Sequence, residues 1–217
     1  MTTRRNHFFL ISSLLQFALL AFLARRALRH RQPLSEIIFS RWAQRKQTSS
    51  LRSLVLGVNR VIGSSGTINM LALPAAAFLW WKHLRVEAVI TVALCWIGEL
   101  IKKALKKIID RPRPNPLLVH VAGHRKGKSF PSGDVSSTVM FWGWLAYVGL
   151  WKSRDLRASR MALFSFPAFS IAFVGPARIY LGDHWLTDVL GGYLFGGGWL
   201  CLTLYLYRLW GARGRNS

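Results

Sequence analysis

Three short polar clusters contain the residues whose types and spacing could carry out chemistry. The first is residues 102–116, where four lysines precede the alternating sequence Asp-Arg-Pro-Arg-Pro. Alternating prolines end a helix and hold the chain extended, so Arg111 and Arg113 should point to one side, with Lys106 nearby. Guanidinium and ammonium groups together suit phosphate oxygens, although a basic loop that flanks a membrane helix would look similar.

The second cluster is the sequence Lys-Ser-Phe-Pro-Ser-Gly-Asp at residues 128–134, directly before a long apolar block. Pro, Ser and Gly at a helix start leave backbone N–H groups free at its positive end, which is a suitable cradle for phosphate. An ordinary N-cap formed by Ser132 or Asp134 explains the same residues without a ligand. This motif by itself does not separate the two interpretations.

The third cluster contains Arg178, Asp183, His184 and Asp188. His184 and Asp188 are four residues apart at a predicted helix start, so they share one face of that helix. A carboxylate that accepts the proton of one imidazole nitrogen leaves the other nitrogen free to act as a nucleophile. Because four ionisable residues crowd this short segment, the pattern favours catalysis over a structural His–Asp pair.

Six apolar blocks must position these clusters, and a helix needs about 20 apolar residues to cross a bilayer. We therefore predict an all-α, polytopic membrane bundle of about six transmembrane helices, forming a single domain over residues 1–217. A cleaved signal peptide is the alternative for the first block. Pro167 and Pro176 should bend or end the fifth. The blocks cover residues 8–24, 64–81, 86–101, 135–151, 161–175 and 185–210.

The segment between the first two blocks, residues 33–54, has a mixed pattern. Leu34, Ile38 and Trp42 recur at helical spacing, together with Ile37, while Arg41 and other basic residues lie off that face. This pattern predicts a short interfacial helix lying on the membrane. An ordinary basic loop is the alternative.

The composition restricts the class of protein. Hydrophobic residues make up 52% of the 217 residues, and 30 Lys and Arg against 8 Asp and Glu give a net charge of +22. Ten Trp and thirteen Phe exclude a disordered basic tail, and the long apolar blocks argue against a nucleic-acid binder. We expect a lipid bilayer as the surroundings. The cations concentrate on the face that carries the three clusters, which favours an anionic substrate, but their distribution does not decide which face is cytoplasmic.

Together the clusters resemble the type-2 phosphatidic acid phosphatase superfamily, which includes bacterial undecaprenyl-diphosphate phosphatases and, more distantly, vanadium haloperoxidases. Three ordered motifs within residues 106–188 carry the resemblance. Lys106 through Arg113 and Pro114 fits KxxxxxxRP, and residues 131–133 fit the start of PSGH. The segment from Arg178 through His184 to Asp188 fits RxxxxxHxxxD. The main departure is Asp134, which stands where the family has a histidine that protonates the leaving group.

The resemblance implies specific roles for these residues. His184 would attack phosphorus and form a phosphohistidine, with Asp188 orienting it, and no metal or cofactor would be required. The resemblance also implies a multi-pass membrane protein whose active site faces the extracytoplasmic side, and the plasma (inner) membrane as its location if the protein is bacterial. The groups expected to hold the phosphoryl oxygens are Lys106, Arg113, Ser132, Gly133 and Arg178.

Asp134 bears on the choice of substrate. Neighbouring cations and a helix N-terminus favour its carboxylate form, so we expect a poor general acid that pairs with Arg113, Lys128 or another cation. His124 or Asp183 are alternative proton donors. Acid catalysis matters least when the leaving group is itself a phosphate, so we expect a (poly)prenyl diphosphate as the substrate. The alternatives are a phosphatidate- or phosphatidylglycerophosphate-type monoester phosphatase, a lipid phosphotransferase, and a catalytically weakened member that only binds lipid.

Overall fold

The computed structural model describes residues 2–30, 32–123, 126–152 and 157–213, and every regular element within these ranges is an α-helix. The prediction of an all-α bundle is therefore confirmed. The helices in chain order are α1 (Thr2–Arg29), α2 (Leu34–Ala43), α3 (Ser49–Ile62), α4 (Ser65–Trp81), α5 (Arg85–Ile109), α6 (Gly133–Lys152), α7 (Arg157–Tyr180) and α8 (Leu186–Arg213).

The six predicted blocks coincide with α1 and with α4 to α8. Three helical stretches in the described part are long and apolar enough to cross a membrane by length and composition: Asn6–Arg29, Ser49–Trp81 and Leu186–Gly211. The second of these stretches joins α3 and α4, and the sequence did not indicate α3 as a separate helix. The number of six spans stays a prediction.

The helix α2 forms where the interfacial helix was predicted. Its apolar side chains Leu34, Ile38 and Trp42 are exposed, whereas Glu36 and Ser40 are buried against the rest of the protein. This distribution is the reverse of that in a soluble helix and suits a surface that meets lipid. The helix therefore presents Glu36 and Ser40 to the interior.

Two helices extend further than the apolar pattern indicated. The helix α7 continues through both Pro167 and Pro176, so these prolines do not end it, and the alternative that they bend it stays a prediction. Prolines are tolerated within membrane helices where neighbouring groups satisfy the freed backbone carbonyls. The helix α5 continues to Ile109 and ends at Asp110 in the left-handed conformation, with φ of 49°. The lysines of the first cluster therefore lie on a helix.

Close packing of α6 against α8 brings the second and third clusters together. A Cβ atom on Gly192 of α8 would lie 2.8 Å from the Ser132 carbonyl oxygen and 2.9 Å from Val135 Cβ. A Cβ atom on Gly196, one turn later, would lie 2.8 Å from the Ser136 carbonyl oxygen. The absence of side chains at these positions lets the start of α6 touch the start of α8.

We expect Gly192→Ala to destabilise the protein by about 1–3 kcal/mol, because the new methyl group must displace the backbone of α6. The measurement is the melting temperature of the purified protein in detergent. The matched control is Gly211→Ala in the same helix, where no atom lies within 4 Å of the new Cβ. Equal melting temperatures for the two variants would contradict the close approach of α6 and α8.

Candidate active site

The site lies where the loop after α5, the start of α6 and the turn between α7 and α8 meet. His184 is 2% exposed and Asp188 is completely buried. Nδ1 of His184 lies 3.4 Å from Ser129 Oγ and 3.7 Å from Asp188 Oδ2. The second distance is longer than a hydrogen bond, although such contacts often tighten when a substrate binds. The histidine and the aspartate therefore face each other as their spacing predicts.

The carboxylate of Asp188 is fixed by several donors. Arg111 donates to Oδ1 at 2.6 Å, and the backbone N–H of Trp185 donates to Oδ2 at 2.9 Å. The Ser129 hydroxyl also donates to Oδ2. Hydrogen bonds of this kind favour the ionised carboxylate. Asp188 is thus held as an anion beside the imidazole.

The other imidazole nitrogen faces a cation. Nε2 of His184 lies 3.3 Å from NH1 of Arg113, and the same NH1 donates to the Asp183 carbonyl at 2.9 Å. Lys106 lies at the same edge of the site and donates to the Lys128 carbonyl at 2.7 Å. The extended segment after α5 therefore sends Arg111 and Arg113 to the same junction, as the alternating prolines predict.

The environment of His184 keeps its imidazole neutral. Burial lowers the pKa of His184 to about 4, and the positive charges of Arg113 and Lys106 act in the same direction, against the opposing influence of Asp188. Because this pKa lies below the ordinary value of about 6.5, the ring is unprotonated at neutral pH. A neutral imidazole is the form that can attack phosphorus.

The second cluster forms the start of α6 and lies against the third. The backbone N–H of Ser132 donates to the Asp188 carbonyl at 2.9 Å, and Gly133 is the first residue of α6. The buried Ser132 hydroxyl makes no hydrogen bond within the described part of the chain. Buried polar atoms without partners are uncommon, so this hydroxyl fits an oxygen of a bound anion.

Arg178 and Asp134 form a buried ion pair. NH2 of Arg178 lies 2.7 Å from Asp134 Oδ2, and NH1 donates to Asp183 Oδ2 at 2.5 Å. The other oxygen of Asp134 accepts from the Ser65 backbone N–H at 2.8 Å, at the first residue of α4. The cation that pairs with Asp134 is therefore Arg178, which is another cation than the two named from the sequence. His124 lies outside the described residues.

Two contributors, Glu36 and Thr187, are not members of the three clusters, and no individual role was predicted for Arg111 or Ser129, which lie within them. Arg111 donates to both Thr187 Oγ1 and Glu36 Oε1, at 2.5 and 3.0 Å. One signal was available, since Glu36 is a lone acidic residue within a basic segment of a chain that has only 8 acidic residues. In the described part, His, Cys, Asp and Glu side chains do not form groups of three or more that could hold a metal ion.

A large apolar cavity lies beside the site, between α2, α3, α7 and α8. Its volume is about 1120 Å³, and its walls include Leu186 and Val189, which flank the catalytic cluster in sequence. Other wall residues are the aromatic side chains Phe39, Phe173 and Tyr193. The cavity can accommodate an apolar chain next to the polar site.

Comparisons with known proteins show which family and which fold this chain is similar to. The family model of the PAP2 superfamily matches residues 86–212. Phosphatidylglycerophosphatase B of Bacillus subtilis is 26% identical over 148 residues, 67% of this chain and 70% of that protein. Lipid A 1-phosphatase of Rhizobium etli is 27% identical over 135 residues, 52% of this chain and 51% of its own length. The crystal structure of a transmembrane PAP2-type phosphatidylglycerolphosphate phosphatase from Bacillus subtilis superposes with a TM-score of 0.80 at 22% identity, covering 90% of this chain and 96% of that one.

Proposed function

This chain belongs to the PAP2 superfamily and is a lipid phosphatase of the membrane, and we propose that it hydrolyses a (poly)prenyl diphosphate through a phosphohistidine on His184. The proposal includes an active site on the extracytoplasmic face. Lys106, Arg113 and the start of α6 would bind the terminal phosphate.

The observation that carries the choice of substrate is the ion pair between Asp134 and Arg178. Asp134 is 3% exposed, and its two oxygens are occupied by a guanidinium group and a backbone N–H. Both contacts favour the ionised carboxylate, which has no proton to donate. A substrate whose leaving group departs without protonation therefore suits this site best. A diphosphate meets that condition, because its leaving group is a phosphate monoester rather than a basic alkoxide.

In the first step, Nε2 of His184 attacks the terminal phosphorus. The new N–P bond forms as the bridging P–O bond breaks, and the prenyl monophosphate leaves with the bonding electrons. The proton on Nδ1 stays in place, and the resulting imidazolium is stabilised by the Asp188 carboxylate. Arg113, which lies 3.3 Å from Nε2, balances the charge on the transferred phosphoryl group.

In the second step, water attacks phosphorus and the N–P bond breaks, which returns neutral His184 and releases inorganic phosphate. The Ser132 hydroxyl and the backbone of Gly133 would hold phosphoryl oxygens through both steps. Arg178 completes the predicted binding set, although its guanidinium already contacts Asp134 and Asp183. We therefore assign Arg178 a weaker share in binding phosphate than Arg113.

The apolar cavity beside the site supports a lipid substrate with a bulky tail. Its walls are mainly apolar and aromatic, and Arg45 and Lys46 are the charged residues among them, so a prenyl chain would move there from the bilayer mostly against apolar side chains. The diphosphate would then project towards His184.

The test uses the purified protein in detergent with EDTA, and measures phosphate release from a prenyl diphosphate and from a lipid monophosphate. We expect faster release from the diphosphate, and activity that EDTA does not reduce. Equal rates on both lipids would contradict the substrate assignment. Transfer of the phosphoryl group to another lipid, detected among the products, would indicate a phosphotransferase instead.

A second candidate is a monoester phosphatase acting on a phosphatidylglycerophosphate-type lipid. The name of the Bacillus subtilis relative favours it. In the same assay this function predicts faster release from the monophosphate. Phosphate release from neither lipid would favour a member that only binds anionic lipid.

A further inference from the structure

We propose that Glu36, on the surface helix α2, is a positioning residue that acts through Arg111 on Asp188. The inference rests on the proposed function, because the group it positions is the carboxylate beside the proposed nucleophile. Glu36 lies outside the three sequence motifs, so this inference gives the helix α2 a role in the reaction.

The contacts form a continuous buried chain. Oε1 of Glu36 lies 3.0 Å from NH2 of Arg111, and NH1 of Arg111 lies 2.6 Å from Asp188 Oδ1. Glu36 is 4% exposed and Arg111 is fully buried. One guanidinium group is therefore shared by two carboxylates, and only the second of them faces the imidazole.

Glu36 also contacts the first turn of α8 directly. Thr187 donates through its hydroxyl to Oε1 at 2.9 Å and through its backbone N–H to Oε2 at 3.3 Å. Because Asp188 follows Thr187, these bonds fix the backbone that carries the carboxylate. An anion at a helix N-terminus is also favoured by the helix dipole.

Sharing Arg111 has a consequence for Asp188. With Glu36 in place, its carboxylate neutralises part of the positive charge of Arg111 on the side of the guanidinium away from Asp188. Without it, more of the guanidinium charge would act on Asp188 and draw this carboxylate away from His184. Asp188 would then hold the Nδ1 proton less well and would stabilise the imidazolium less.

Anchoring of α2 does not require this glutamate. Arg41 of α2 donates to the Leu118 carbonyl at 2.7 Å, and Gln44 at its end donates to the carbonyls of His120 and Tyr180. Burying a carboxylate costs free energy unless it is paired. A buried glutamate is therefore a poor way to anchor a helix that hydrogen bonds from Arg41 and Gln44 to backbone carbonyls already hold in place. The buried negative charge of Glu36 is better explained by its ion pair with Arg111.

The experiment compares Glu36→Gln with Glu87→Gln, a buried glutamate on α5 that accepts from the Tyr207 hydroxyl, outside the site. Two readouts are used: steady-state kinetics, and the ¹⁵N chemical shifts of the His184 imidazole at neutral pH, assigned with His184→Asn. We expect wild type and Glu87→Gln to show the Nδ1–H tautomer. In Glu36→Gln we expect a mixture of tautomers, and kcat lower by roughly 10–100-fold with KM little changed.

The double variant Glu36→Gln/Arg111→Gln tests the route of the effect, since it removes both charges of the outer pair. It should return the His184 tautomer towards that of wild type, and it provides the comparison if the single variant fails to fold. An unchanged tautomer in Glu36→Gln, or a double variant no closer to wild type, would overturn the inference. If wild type releases no phosphate while the tautomer still responds to Glu36, the proposed function fails and the coupling stands.

Discussion

Replacement of His184 by Asn should abolish phosphate release, with turnover falling by roughly 10³-fold or more and the melting temperature changing little. The proposed mechanism has no second group able to accept the phosphoryl group, and removal of a nucleophile costs more than removal of a binding contact. Asn is close to the size of the lost ring, so the packing around Ser129 should survive. The measurement is phosphate release from a prenyl diphosphate in detergent.

A covalent intermediate provides the second measurement. With a substrate labelled in its terminal phosphate, rapid acid-free quenching should trap label on wild-type protein and none on His184→Asn. The control is His83→Asn in the turn between α4 and α5, where the backbone has φ of 60° and Asn is tolerated. Retained turnover in His184→Asn, or label trapped on it, would contradict the phosphohistidine.

Substitution of Asp134 by His should raise turnover of a lipid monophosphate relative to a prenyl diphosphate by about 10²-fold, at the lower end of what general acid catalysis supplies. The imidazole would restore the proton donor that the resemblance to the family places at this position. The change would also release Arg178 from one of the two carboxylates that contact it. The measurement is kcat/KM on both lipids for wild type and variant.

The matched control for this experiment is Asp134→Asn. It releases Arg178 in the same way but provides no proton for the leaving group. If Asn raises monophosphate turnover as much as His does, the gain comes from Arg178 rather than from acid catalysis. If neither variant changes the ratio of the two rates, the assignment of a diphosphate substrate from Asp134 is wrong.

The sequence predicted the helices better than their ends. Apolar blocks reveal membrane helices because length and hydropathy are enough to identify them. The helices α1 and α4 to α8 lie where the six blocks predicted helices. The boundaries differed where polar residues lie within a helix. The helix α5 extends eight residues beyond the predicted end at 101, through its four lysines, to Ile109. The amphipathic α3 was missed because polar residues such as Arg52, Asn59 and Arg60 break the continuous apolar run by which the spans were identified.

The site was predictable where one motif carried both partners. The spacing of His184 and Asp188 placed them on one face, and the alternating prolines placed Arg111 and Arg113 on one side. For contacts between residues far apart in the sequence, no spacing within a motif indicates which residues pair. Glu36 meets Arg111 across 75 positions, and Arg178 meets Asp134 across 44, so only the packing of α2, α6 and α7 on α8 determines these partners.

The hydrogen bond from the Ser132 backbone N–H to the Asp188 carbonyl ties two motifs together through main chain rather than through side chains. Substitutions at either residue leave that bond in place, so point variants of the catalytic groups should keep the architecture of the site. Separation of α6 from α8 would break it and would simultaneously carry Ser132 away from the nucleophile. Loss of binding and loss of catalysis on heating should therefore occur as one cooperative event, without a partly active intermediate that still retains its ligand.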